Sequence, residues 1–170
     1  MLTFLFRRLT AEQPRGALLF AAVSAEARKP HWYVEGQVPD TIDGRFAMLA
    51  TIAALALVRL ERDAEQGNLA SVALTERFVD VMKTEHRELG LGDPALGKQV
   101  RKLVGSLAGR VELWRRAAAA EVEWVEATQR SVYKDQVSPD ALAHAALALG
   151  NVWARLDRLD LGALIDGRLE

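Results

Sequence analysis

No cysteine occurs among the 170 residues, which excludes disulfide scaffolds, cysteine-ligated zinc or iron–sulfur sites, and any thiol nucleophile. An excess of one charge is also missing. The 22 Lys and Arg against 23 Asp and Glu leave a formal charge of −1 at pH 7, so no global field draws the chain to nucleic acid, and DNA is not an expected partner. Long apolar runs are absent too: the longest stretch free of charged residues and histidine, Phe46 to Val58, lies between Arg45 and Arg59, short of the roughly 20 residues of a spanning helix. The phosphate-cradling, dinucleotide-binding and nucleophile-elbow glycine motifs do not occur, and no local acid pair marks a hydrolase. These gaps all point away from catalysis, and no cofactor is expected.

Alanine and leucine dominate what is present, and they are the strongest apolar helix formers. The expected fold is therefore all-α: one domain spanning 1–170, built as a bundle of about five main helices with a long fourth helix. Near the N-terminus, Arg7 and Arg8 before a short apolar run and Ala25-Glu26-Ala27 imitate a signal peptide. Phe4 to Phe6 precede the basic pair and Glu12 and Arg15 interrupt the approach, so a first helix from about Ala11 to Lys29 is the expected structure, stopped by Pro30. The His31-to-Thr41 stretch, with Trp32, Tyr33 and Gly36, reads as an ordered loop.

A second helix is predicted from Thr41 to Glu65, capped by Asp40 with Asp43 in its first turn. Phe46, Leu49, Ile52, Leu55, Leu57 and Val58 cover most of its circumference, as in a helix surrounded by others. Gly67 and Asn68 mark its end, and a third helix, Leu69 to Leu89, carries the stripe Leu74, Phe78, Val81, Met82 and Leu89. Gly90-Leu91-Gly92 stops it, and Asp93-Pro94 starts the fourth. Leu96, Val100, Leu103, Leu107, Val111 and Trp114 then keep to one side, and the pattern continues through Ala118, Val122, Val125 and Val132 as one long helix. Ser138-Pro139-Asp140 opens a fifth helix reaching about Arg158.

The three histidines, His31, His86 and His144, lack acidic partners at ligand spacing, and the Glu-x-x-His pattern of di-iron bundles does not occur; no metal site is expected. Glu85 falls within an apolar stripe. Buried alone it would be a candidate acid or base; pairing with Arg101 or Arg45, or a place at the wet edge of the bundle, is the structural alternative. Gly105 and Gly109 are spaced for a close helix crossing. Lys98, Arg101, Lys102 and Arg116 project opposite the fourth helix's apolar stripe with Arg110 and Arg115 on the flanks and Glu112 diluting the charge, a row suited to an anionic surface, with a plain solvated helix face as the alternative.

Two stretches, Tyr33 to Leu60 and Glu85 to Arg110, carry fixed residues in a recognisable order: Pro39-Asp40-Thr41, then Arg87-Glu88-Leu89-Gly90-x-Gly92-Asp93 with Lys98 and Gly109-Arg110. Over about residues 30–115 the chain resembles the ubiquinol–cytochrome c chaperone family, with 116–170 as a C-terminal helical extension. The resemblance implies a non-enzymatic assembly factor for the cytochrome bc1 complex that engages newly made cytochrome b, near the ribosome and with a small partner protein in mitochondrial members. It implies a cytoplasmic protein with peripheral inner-membrane contact, and the alanine-rich make-up suits a bacterial member. The partner-binding residues it points to are Trp32, Tyr33, Asp40, Arg87, Glu88, Asp93, Lys98, Arg101, Lys102 and Arg110. Trp32, Tyr33 and Val34 would shield an apolar client, and the basic row would meet the anionic surface. The alternative function is a carrier of lipids or small apolar molecules.

Overall fold

A computed structural model describes residues 16–88, 90 and 93–169. Its helices are α1 (Ala17–Ala27), α2 (Ile42–Leu60), α3 (Ala64–Glu88), α4 (Asp93–Ala118), α5 (Trp124–Val132), α6 (Pro139–Arg158) and α7 (Leu161–Ile165), with short 3-10 turns at Pro30–Trp32 and Glu61–Asp63. No strand occurs among the described residues. The all-α reading holds. The predicted start of the first helix at Ala11, the Leu91-Gly92 stop and the Asp93-Pro94 cap fall outside the described residues or side chains; Gly90 does take the left-handed φ of +86° that a helix stop requires.

α2 is the axis of the bundle, packed by α1, α3, α4, α5 and α6. Every residue from Ala50 to Leu60 is buried, as its apolar circumference predicts. The polar groups around Thr51 of α2 are satisfied: Thr51 and Ser131 hydroxyls meet at 2.7 Å, and the Trp114 indole donates to Ser131 Oγ at 3.0 Å. Ser131 thus joins α2, α4 and α5 through one side chain. Arg59, also buried, donates to the carbonyls of Leu156 at 3.1 Å and Leu159 at 2.6 Å and pairs with Asp63, closing the C-terminal end of α6 against α2.

Helix boundaries depart from expectation in three places. The cap of α2 is Thr41, whose Oγ1 accepts from Gly44 N at 3.2 Å; Asp40 instead pairs with Arg45 at 2.6 Å. α2 gives way to α3 at residues 61–64, where Ala64 takes φ +47°, and Gly67 lies inside α3. A Cβ there would stand 2.0 Å from the Leu60 carbonyl oxygen, so that glycine marks a close approach of two helices rather than a helix end. The fourth helix is long but stops at Ala118. Ala120 turns at φ +58°, and the chain reverses so that Trp124 packs on Trp114 with ring centroids 5.1 Å apart. Val122, Ala127 and Val132 are buried by that reversal while Val125 is left half-exposed. Continuous periodicity through an alanine run reads as helix, alanine being a strong helix former, and holds no sign of a fold-back that the packing of Trp124 on Trp114 across the chain imposes.

Ser138 caps α6 as predicted, accepting from Ala141 N at 3.3 Å with Pro139 at the first helical position, and α6 ends at Arg158. The close crossing expected at Gly105 and Gly109 does not form among the described residues, where a Cβ at either position would meet no atom within 4 Å.

Candidate docking groove

Trp32 organises the turn between α1 and α2. It is fully buried, its indole donates to the Glu26 carbonyl at 2.8 Å, and its own carbonyl accepts from Val38 N at 3.0 Å. A turn pinned this way holds its outer residues in fixed positions: the Tyr33 hydroxyl donates to the Ala27 carbonyl at 2.8 Å, and Val34 stands 69% exposed. His31, beside Trp32, meets His144 of α6 with Nδ1 and Nε2 3.2 Å apart. Burial, then the His144 charge, holds the His31 pKa below its ordinary value, because a proton on both rings would set two cations in contact. Sequence spacing could not show this pair, whose members lie on separate elements.

The turn forms one lip of an open cleft of about 790 Å³ bounded by the end of α1, the first half of α2, the last turns of α3 and the start of α4. Phe46, Leu49, Met82 and Leu103 lie in it, with Val34 and Ile42 at the mouth; Ile42 is 66% exposed. Met82 and Leu103 are buried and Phe46 and Leu49 half-buried beneath the exposed Val34 and Ile42, and exposed apolar side chains over such a floor are the mark of a surface that meets another apolar body. On the α2 side the charges are already engaged. Asp40 holds Arg45, and Asp43 holds Lys134 at 2.5 Å; hydrogen bonds from these cations lower both carboxyl pKa values, Lys102 adding to the effect at Asp43. On α3, Glu85 and Glu88 line the cleft and are exposed. Glu85 therefore lies at the wet edge of the bundle, and the condition for a buried acid is not met.

Of the residues singled out in the sequence, Tyr33, Asp40 and Glu88 come together in the cleft. Lys98, Arg101 and Lys102 are exposed on α4, whose Gln99 and Leu103 face the cleft, so the basic row runs beside it. Arg87 is exposed without lining it, and the Asp93 side chain lies outside the described set. Two others are corrected. Trp32, with no exposed surface, anchors the turn and is not free to touch a partner. Arg110 faces inward, donating to the Ser131 carbonyl at 3.1 and 2.8 Å and to the Ser106 carbonyl at 3.2 Å, with its guanidinium 5.8 Å from the Phe46 ring centroid; burial pushes its pKa down from the ordinary arginine value. It caps the end of α5 and supports the cleft floor from behind. Met82 and Leu103 read as core in the sequence and are buried; Phe46 and Leu49 read as core too and are half-buried, since periodicity cannot tell a fully covered apolar face from a partly covered one.

A second, more open depression of about 500 Å³ lies between α5 and α6, around Val125 and Leu147. Among the described residues no group of three or more His, Asp or Glu could hold a metal ion, and no helix is long and apolar enough to cross a membrane.

The family model described as ubiquinol-cytochrome C chaperone matches residues 34–170, running past residue 115 to the end of α7 and beyond. The crystal structure of the Cbp3 homolog from Brucella abortus is similar over 98% of this chain and 94% of that one, with a TM-score of 0.75 and 29% sequence identity. Comparison with curated proteins finds no match.

Proposed function

The chain belongs to the ubiquinol-cytochrome C chaperone family, and from that premise we propose that it is a non-enzymatic assembly factor for the cytochrome bc1 complex that receives newly made cytochrome b in the α1–α4 cleft. The observation that carries this is the partly exposed apolar surface there among the described residues, from the half-buried Phe46 and Leu49 floor to the exposed Val34 and Ile42 lip. A very apolar client segment waiting for its partners is shielded by such a surface, because apolar area removed from water stabilises the contact by about 25 cal/mol per Å². The exposed row Lys98, Arg101 and Lys102 lies beside the cleft, where it can hold the protein to anionic headgroups of the inner-membrane surface at about 1 kcal/mol per cation. Ribosomal RNA and a small partner protein offer the same row a competing polyanion or acidic face.

A carrier of small apolar molecules is the second reading. It draws on the cleft volume, which falls in the range of about 300–1,000 Å³ typical of small-molecule sites. The exposed lip favours a chain segment, which extends past both ends of the cleft as a small molecule does not.

The test is deletion of the gene followed by native gels and haem spectra of the membranes. Cytochrome b and assembled complex should be lost, then restored by wild type but not by Val34→Asp with Ile42→Asp. Lys98→Glu, Arg101→Glu and Lys102→Glu together should restore soluble protein without restoring the complex. Normal complex levels after deletion would sink the proposal and leave the carrier reading.

A further inference from the structure

The two walls of the cleft differ in charge. On the α2 side each carboxylate has its cation, Asp40 with Arg45 and Asp43 with Lys134. The α3 wall is different: Met82, Glu85 and Glu88 all line the cleft at three-residue steps, so the wall passes from buried thioether to exposed carboxylates over about 9 Å of helix rise. Neither Glu85 nor Glu88 has an ion-pair partner among the described residues. Arg28, at the end of α1, is an exposed cation on the opposite side of the cleft, so the acidic character is confined to the α3 wall, where an apolar floor leading to two available carboxylates is complementary to a segment with the same order in opposite sign, apolar first and cationic after.

Membrane-spanning helices have that order where they leave the bilayer on the side of synthesis, since the flanking loops there are enriched in Lys and Arg. We infer that the cleft recognises the junction between an apolar client helix and its basic flank, with Phe46, Leu49, Met82 and Leu103 holding the apolar end and Glu85 and Glu88 reading the Lys or Arg residues that follow. This rests on the proposed chaperone function and specifies which part of the client is bound. It also explains the division of charge. The acidic wall selects the client, while the basic row on α4, which would repel such a flank, is left to face anionic partners.

Glu85 and Glu88 are exposed, so their replacement leaves the core intact, and circular dichroism checks this. Binding to the full-length chain would be measured by fluorescence anisotropy in mild detergent, using a labelled peptide of about 20 Leu and Ala residues ending in Lys-Arg-Lys. Two control peptides end in Ser-Ser-Ser or Glu-Asp-Glu. At low salt the basic flank should give about fivefold tighter binding than the serine flank, and the preference should fade toward 1 M salt, where the Debye length is about 3 Å. Glu85→Lys with Glu88→Lys should reverse the order in favour of Glu-Asp-Glu. Equal affinity of the wild-type protein for all three peptides overturns this inference and leaves an apolar clamp consistent with the proposed function. Failure to bind any of them overturns the cleft as client site, and with it both readings.

Discussion

The two halves of α2 are built from similar apolar side chains and have opposite surroundings. From Ala50 to Leu60 every residue is buried, and the one charge among them, Arg59, is tied to two carbonyls and a carboxylate. From Ile42 to Leu49 the same helix has an exposed isoleucine and half-buried Phe46 and Leu49 facing the cleft. The C-terminal half is surrounded because α6 and the reversal into α5 close over it. Around the N-terminal half, the α1 turn, Phe78 and the last turns of α3, the start of α4, and the Lys134 that pairs with Asp43 leave a cleft among the described residues. One helix thus serves as core at one end and as binding surface at the other, and the difference lies in what packs on it.

The largest effect that would separate the halves is expected at Leu55, which has no exposed surface. Leu55→Ala should cost about 2–5 kcal/mol, the loss of transfer energy plus a cavity, read as a lower midpoint in urea unfolding; a loss below about 0.5 kcal/mol would show the core half to be looser than described. Next is Arg59→Met, which keeps the aliphatic stem but leaves the Leu156 and Leu159 carbonyls and Asp63 without their donor. About 3 kcal/mol should be lost, with hydrogen exchange accelerated at the end of α6 and not around the cleft. Smaller again is the effect of Ile42→Ser, expected within about 0.5 kcal/mol of wild type in stability, while client binding weakens severalfold. A large stability loss at Ile42 would mean that the cleft is filled, not open.

Acidification gives the smallest effect, and it sharpens the comparison by touching only the turn that forms the cleft lip. His31 has a folded pKa below its unfolded one, so the unfolded chain takes up the proton first. The stability it contributes is complete above the ordinary histidine value of about 6.5 and is lost as pH falls from there toward the folded value. Tm should drop modestly between pH 7 and 5.5, and His31→Gln should flatten that slope. An unchanged slope would show that the His31 to His144 contact does not link the turn to α6.

Where local signals decide structure, the sequence was legible. Ser138 with Pro139 fixed the start of α6, the all-round apolar pattern of α2 identified the buried axis, and the motifs around Asp40 and from Arg87 to Arg110 pointed to the family. Local signals failed where a contact across the chain settled the outcome. Gly67 looked like a terminator and instead lets α3 begin against the Leu60 carbonyl. Trp32 and Arg110 looked available to partners, yet one pins the turn and the other caps α5. The candidate site was legible only in part: Tyr33, Asp40 and Glu88 were singled out, whereas its floor was indistinguishable from core.

By itself, then, the sequence determined that the chain is helical, where α2 starts, where α6 begins and ends, which helix lies at the centre, and to which family it belongs, because capping, periodicity and motif order are properties of neighbouring residues. Only the tertiary structure decided that α4 ends before α5 folds back, that Ser131 joins three helices, that His31 meets His144, and that Ile42 stays exposed and Phe46 and Leu49 half-buried at the start of α2. Each of these depends on the distance between residues far apart in the chain, and a hydrophobic pattern records which face of a helix seeks cover without recording whether anything arrives to cover it.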